Sequence, residues 1–270
     1  MSRVSMQLSL ELKNNFEKWF SEIDSLASEF SFSNLYLFRE VHKYELFFDP
    51  LPHLKGVSRE NEKFIMPLTQ PFQPYLKLLK EGEYLFPITS LKGLVSHPHE
   101  AIEKEKDYLY HREKLRDLPG RKLASRRNLL HQFENNALID IKDLNPDLIQ
   151  DALQVLDAWH QNKDGDYDSC KEALLLLGEL NLTGHLIYDA KEPIGFILGE
   201  LLPKQYLMHF AKAKPDIKGL TPFMYQTTAA RLPSHIEWMN LEPDLGIDDL
   251  RQAKMSYDPD LLLEKYRIYR

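Results

Sequence analysis

Cysteine is almost absent. Cys170 is the only one in 270 residues, so no intrachain disulfide can form, and the cytosol is the expected compartment. Glycine is scarce as well, at 11 residues. No pair stands at the spacing of a dinucleotide-binding turn and no Walker sequence occurs, which excludes the usual glycine-rich phosphate cradles. Long apolar runs are also missing: the longest aliphatic stretch, Ala173 to Leu177, is far below a membrane span, and Met1 to Leu12 carries a single Arg3 and no apolar block. Neither a spanning helix nor a secretory leader is expected. Positive charge is not in excess, because 34 basic and 41 acidic side chains give −7, which argues against wholesale coating of nucleic acid or anionic membrane.

What remains is ordinary globular material, 43% hydrophobic and 28% charged, unlike disordered or collagen-like chains. The length suits two lobes of about 135 residues each. Leu12, Phe16, Trp19, Phe20, Ile23, Leu26, Ala27 and Phe30 recur at three and four, predicting a helix over Glu11 to Ser28. Short strands are expected at Tyr44 to Phe48, Lys63 to Leu68 and Tyr84 to Pro87, with a helix over Pro71 to Lys80. A charged segment, His97 to Asn136, holds a helix over Lys122 to Phe133; further helices start at Asn145 or Pro146 and run over Tyr167 to Leu177 after a turn at Asp164, Gly165 and Asp166. His185 to Tyr188, Pro193 to Leu201 and Gln205 to Ala211 should pair as an antiparallel meander. A helix over Gly219 to Ala230, a strand over Ile236 to Asn240, a helix over Asp248 to Lys254 and a strand over Leu262 to Ile268 complete an α+β pattern. The expected division is 1–140, with 97–136 as its basic connecting segment, and 141–270.

Three places could carry chemistry. Arg112 to Arg127 holds seven basic side chains (Arg112, Lys114, Arg116, Arg121, Lys122, Arg126, Arg127) against Glu113 and Asp117, a local +5 that leaves −12 for the rest. A solvated face is the plain explanation. Arg121 and Lys122, however, stand where a helix begins, the end that disfavours cations, and that placement points to a phosphate ligand. The second place is Lys212, Lys214, Lys218 and Gly219, at a strand end before a helix, where backbone amides can hold a pyrophosphate; an ordinary lysine-rich loop is the alternative. The third is Asn240, Glu242 and Asp244, alternating polar side chains followed by Lys254, Ser256 and Tyr257. Carboxylates there could orient an amine or act as a base, or Asp244 or Asp248 could simply cap a helix. His97 and His99 lack a third ligand, so no metal is expected. Cys170 beside Glu172 is a poor nucleophile.

The ordered set Asp107, Tyr108, Tyr110, then Leu118 to Lys122, then Arg126, Arg127, Asn128 and Phe133 resembles the middle motif of the bacterial DUF2156 family. Trp159, Glu172, His209 to Ala213 with Gly219, and Asn240 to Gly246 followed by Leu250, Ala253, Lys254, Ser256, Tyr257 and Pro259 continue the resemblance, which covers Phe32 to Arg270. This family is similar to the carboxy-terminal domain of phosphatidylglycerol lysyltransferases. The resemblance implies two tandem acyl-CoA N-acyltransferase (GNAT-like) domains of α+β class with mostly antiparallel sheets, and transfer of an activated acyl group, without a metal, to an amine or hydroxyl acceptor. Donors to expect are coenzyme A thioesters or aminoacyl-tRNA, the broad basic segment favouring the latter; partners are a phosphate-bearing small molecule, a lipid headgroup or tRNA, with peripheral membrane contact. Glu242 is the expected base and Lys212 the charge stabiliser, with Asp244 beside them. Arg121, Lys122, Arg126, Arg127, Asn128, Gly219, Asn240, Lys254 and Tyr257 make up the expected substrate-binding set. Ala211 departs from the family, which commonly has an acidic residue there. That departure, with the lack of a triad or metal motif, supports the competing expectation of a non-catalytic module that recognises a phosphorylated ligand or a protein partner, but the remaining motif residues are present and transferase activity stays the favoured expectation.

Overall fold

A computed structural model of the chain describes residues 5–161 and 165–270. Asp164, in the expected turn, and Met1 to Val4 lie outside the described residues. The strands are β1 (Met6–Gln7), β2 (Glu45–Phe47), β3 (His53–Val57), β4 (Lys63–Pro67), β5 (Tyr84–Ile88), β6 (His99–Ala101), β7 (Asp107–His111), β8 (Ile139–Asp143), β9 (Leu182–Asp189), β10 (Glu192–Leu201), β11 (Gln205–Ala213), β12 (Trp238–Asn240), β13 (Leu261–Leu263) and β14 (Tyr266–Ile268). The helices are α1 (Lys13–Phe20), α2 (Phe32–Leu37), α3 (Arg39–His42), α4 (Arg112–Asp117), α5 (Ala124–Asn136), α6 (Ile149–His160), α7 (Tyr167–Leu175), α8 (Leu220–Arg231) and α9 (Asp248–Met255). Two compact units result, Met1–Asp107 with Leu263–Arg270, and Tyr108–Leu262. The expected border at 140 falls inside β8.

Each seven-stranded sheet is mixed, in the orders β1-β2-β3-β4-β5-β14-β6 and β8-β9-β10-β11-β12-β7-β13. Followed from β1 and from β8, both show the same pairings. Antiparallel neighbours lead to the fourth strand, the fourth and fifth run parallel (β4 with β5, β11 with β12), and an antiparallel strand from elsewhere in the chain comes sixth. The meander expected in the second half is there, as β9, β10 and β11.

The first helix is shorter than its apolar stripe predicts. A 3₁₀ turn at Leu10–Leu12 leads into α1, which stops at Phe20, where the Ser21 hydroxyl donates to the Lys18 carbonyl. Ile23, Ala27 and Phe30 are still buried, but from irregular chain, so the stripe recorded burial and not helix. The expected helix at Pro71 to Lys80 is a 3₁₀ segment, Gln73–Leu78, and the last strand is two short ones, β13 and β14. In the second unit α5 packs Leu130 and Phe133 inward, with Phe133 against Phe223 of α8 at 5.1 Å. Gly219 enables that packing: it has φ +84°, and a Cβ there would meet the Leu129 carbonyl oxygen at 2.1 Å. Its requirement is close helix contact, whatever ligand lies nearby.

In the first unit a buried ionic cluster fastens β14 to the rest. The Lys265 ammonium, fully buried, donates to Asp107 and Glu29, both at 2.8 Å, while Asp107 also accepts from the Ser28 amide and hydroxyl. Burial raises the Glu29 carboxyl above its usual range, with the Lys265 charge opposing and the Asp107 charge adding to it. Lys265→Met leaves two carboxylates without their cation and should cost about 3–5 kcal/mol, measured by denaturant unfolding. A carboxyl raised in this way binds protons in the folded state over a pH range in which the unfolded chain has released them. Stability should therefore fall as pH rises from about 5 to about 8, and Glu29→Gln should flatten that slope in thermal melts.

Candidate functional site

The geometry of interest begins where β11 and β12 separate. Their parallel pairing covers Gln205, Tyr206 and Leu207 against Trp238, Met239 and Asn240. Beyond that point β11 continues to Ala213, while the partner chain turns into the loop Leu241 to Gly246. Parting strands leave backbone groups that need other partners, and three loop carbonyls, those of Leu241, Glu242 and Pro243, accept from the ammonium of Lys254 at 2.6, 3.0 and 2.9 Å. These use all three protons of that buried cation. Lys254 was expected to bind substrate; instead it braces the loop from α9.

Asp244 is the second brace. It is 1% exposed and accepts from the Tyr108 hydroxyl at 2.6 Å, the Arg251 guanidinium at 2.8 and 3.2 Å, and the Gly246 amide at 2.7 Å. Burial opposes its ionisation, yet Arg251, Tyr108 and the amide outweigh burial and hold the carboxyl below its ordinary range. Expected in the catalytic set beside Glu242, Asp244 holds the turn. Asn240, fully buried, accepts the Glu242 amide on its side chain at 2.7 Å, an Asx turn that fixes Glu242 at φ +59°.

Glu242 so held faces β11. Its Oε1 lies 2.8 Å from His209 Nδ1, two residues past the last pair of the parallel ladder on each strand. His209 is the extra residue of a β-bulge: Leu198 pairs with Phe210 and Gly199 with Met208, leaving His209 without a partner on β10. Gly199 is required there, because a Cβ would meet the Leu207 carbonyl oxygen at 2.2 Å. On its other side His209 Nε2 stands 3.3 Å from Glu200 Oε1 without hydrogen-bond alignment. Burial disfavours the imidazolium, but the two carboxylates prevail and push the ring up to about 9. Neither His209 nor Glu200 was singled out from sequence patterns. In the first unit β3 and β4 pair without a bulge, from His53 with Pro67 to Val57 with Lys63.

Lys212 lies further along β11. Its ammonium is 2.5 Å from Asp166 and 3.7 Å from the centroid of the Trp159 ring. Trp159 in turn lines a cleft of about 310 Å³ with Ala211, Ala213, Thr221 and the segment Lys214 to Lys218. The lysine loop singled out in the sequence thus lines this cleft next to the start of α8, and Ala211 lines it too. Cys170 is buried nearby, and burial pushes its thiol up, away from reactivity.

The basic segment is mostly satisfied within the chain. Lys114 donates to the Asp258 carbonyl and to Asp260, Lys122 to Asp258, Arg112 to the Leu232 carbonyl, and Arg127 to the Leu118 and Gly120 carbonyls, while Arg116 pairs with Asp117. Arg126 lies over the ring of Tyr257, itself packed on Tyr225. Arg121 and Lys122 fall in the turn before α5 and not in its first turn; Arg121 and Asn128 are exposed. A charge run that looked available in the sequence is largely a set of loop and helix-end fastenings.

An α+β unit whose central strands part beside a bulge and a helix start has the form of GNAT-type acyltransferases. An acetyltransferase of the GNAT family from Colwellia psychrerythraea is similar at TM-score 0.53, with 9% identity over 99% of each chain. The chain belongs to the family "Phosphatidylglycerol lysyltransferase, C-terminal", whose model matches residues 20–269. Solved structures similar to it include a conserved protein of unknown function from Bacteroides thetaiotaomicron VPI-5482 (24% identity, 99% of this chain and 100% of that one, TM-score 0.87) and L-PGS from Bacillus licheniformis (12%, 95% and 91%, TM-score 0.62). No curated protein matches. Among the described residues no helix is long and apolar enough to cross a membrane.

If Lys254 organises the loop, Lys254→Met should lower stability by about 3 kcal/mol or more. It should also speed amide exchange at residues 240–246 ahead of the β9–β11 meander, as read by hydrogen-exchange mass spectrometry.

Proposed function

We propose that the chain transfers an activated acyl or aminoacyl group to an amine or hydroxyl acceptor, with the reacting centre in the gap between β11 and the Glu242 loop. The observation that carries this reading is the parting of β11 from β12 at Leu207 and Asn240, next to a cleft that ends at the amino terminus of α8. A thin activated acyl arm fits such an opening between strands, and the phosphates of its carrier suit the helix start with Lys214 and Lys218. Both candidate donors, a coenzyme A thioester and an aminoacyl-tRNA, carry phosphates. The internal fastening of Lys114, Lys122 and Arg127 leaves the narrower thioester better supported than the basic segment alone suggests. Arg121, Lys122, Arg126 and Asn128 form the second phosphate-facing set to test.

In the reaction the acceptor nitrogen or oxygen attacks the acyl carbon, the carbonyl π electrons moving to its oxygen as an oxyanion, and the collapse of that intermediate re-forms the carbonyl and breaks the carbon's bond to the carrier sulfur or oxygen. Glu242 takes the acceptor's proton, which passes to the departing thiol or hydroxyl. Backbone N–H groups at the bulged edge of β11 suit the oxyanion of the intermediate. Lys212 shapes the cleft by holding Trp159 and Asp166. We further infer that the two units are tandem copies of one acyltransferase fold, because their sheets share one order of pairings, and that the protein works in the cytosol on a phosphorylated headgroup or small amine, with peripheral membrane contact when the acceptor is a lipid.

The test is a transfer assay with radiolabelled acyl-coenzyme A and charged tRNA as separate donors, against vesicles containing phosphatidylglycerol and against soluble amines. Product is expected with one donor, and Glu242→Gln should lower kcat by about 10²-fold or more. Binding of a donor without product from any acceptor would overturn the enzymatic reading in favour of a recognition module.

A further inference from the structure

We propose that His209 is a cationic strut: a buried imidazolium, kept charged by Glu200, that holds Glu242 aimed into the gap. This rests on the transferase reading for what Glu242 does, but its structural content stands apart from that reading.

Several features converge on the strut. The His209 side chain is fully buried, and the two carboxylates lie on opposite edges of its ring, Glu242 at Nδ1 and Glu200 at Nε2. A neutral imidazole carries one N–H; the imidazolium carries one on each edge, hydrogen bonded to Glu242 at Nδ1 and in ionic contact with Glu200 at Nε2. Deprotonation would therefore set a bare ring nitrogen against a carboxylate in a site with little water. The groups facing the ring are Glu200 from β10 and Glu242 from the loop, and on its own strand the buried Tyr206 faces Glu200. The two glutamates are only 11% and 15% exposed, so solvent screens the trio weakly.

The backbone fixes the arrangement from three directions. The bulge turns His209 out of the β10 ladder, so its ring is free to bridge strands that are no longer hydrogen bonded to each other. The Asx turn at Asn240 and the Lys254 brace prevent Glu242 from swinging away. Gly199 permits the bulge beside Glu200. Each device is costly by itself: a buried ion trio, a left-handed glutamate and a disrupted ladder. Together they yield one outcome, a carboxylate with one oxygen fixed by a cation. As a general base Glu242 must stand in place before the acceptor arrives, and the N–H of a neighbouring imidazolium fixes Oε1 there. His209 is thus a positioning residue, acting through Glu242.

The experiment is a titration of ring ¹⁵N shifts in the full chain, with His209 picked out of the ten histidines by its loss in His209→Gln, run beside the pH profile of kcat. Both ring nitrogens of His209 should be protonated at about pH 7.5, and Glu200→Gln should lower the midpoint by about one pH unit or more, a tenfold change in proton affinity. In the transfer assay His209→Gln should lower kcat by about tenfold or more while leaving KM near the parent value; Glu200→Gln should bring the alkaline limb down. A His209 ring that titrates like free histidine in the parent chain overturns the strut, as does an unchanged kcat in a folded His209→Gln protein. Should His209→Gln not fold, the near-isosteric Glu200→Gln decides through its ¹⁵N midpoint. A parent with no transferase activity but a doubly protonated His209 would sink the proposed function and leave the strut standing.

Discussion

The grip of one ammonium group on three successive carbonyls governs the second unit's site. Once β12 ends at Asn240, the backbone at Leu241 to Pro243 has left the ladder on its β11 side, and its oxygens must be met by some other donor. Lys254 meets all three from one point on α9. A single cation with three fixed acceptors defines the path of the loop more narrowly than three separate side chains could, because the acceptors must converge on one position. The left-handed Glu242, the Asn240 turn and the Asp244 knot with Arg251 and Tyr108 all follow from that convergence.

Much of this is written locally in the sequence. The run Asn240, Glu242, Asp244 is visible as alternating polar side chains, and the lysine loop before Gly219 as a strand-to-helix junction; both lie where the structure has its gap and its cleft. The roles within them are not local. Asp244 and Glu242 are equivalent carboxylates on paper, and they separate only because Arg251 and Tyr108 reach one of them while His209 reaches the other. His209 itself is 33 residues from Glu242 and depends on a bulge that shows only in strand register. The basic run misleads for the same reason. Composition records seven cations, but Asp258, Asp260 and the carbonyls that engage them lie far along the chain.

The two sheets clarify where chemistry can reside. They share their order of pairings, yet the fourth strand of the first pairs evenly with its neighbour, while the fourth strand of the second is bulged at His209. Two residues past its last parallel pair, Ile65 with Leu85, the first unit places Pro67 and Pro87, both buried, where the second has His209 and Glu242. One unit has used the parting of its strands to build core. The other fills it with ionisable side chains, at the cost of buried charges that only mutual pairing makes tolerable.

The place of β14 between β5 and β6 bears on how the polypeptide assembles as it is made. The second unit is continuous from Tyr108 to Leu262, so every strand and helix it needs can leave the ribosome before the first unit is whole. The first unit, although begun earlier, must wait for Tyr266 to Ile268 to enter its sheet and for Lys265 to neutralise Asp107 and Glu29. Order of synthesis and order of completion are therefore reversed. The second unit can mature first, while the earlier-made one holds an unfilled slot between two strands until Tyr266 to Ile268 have been made.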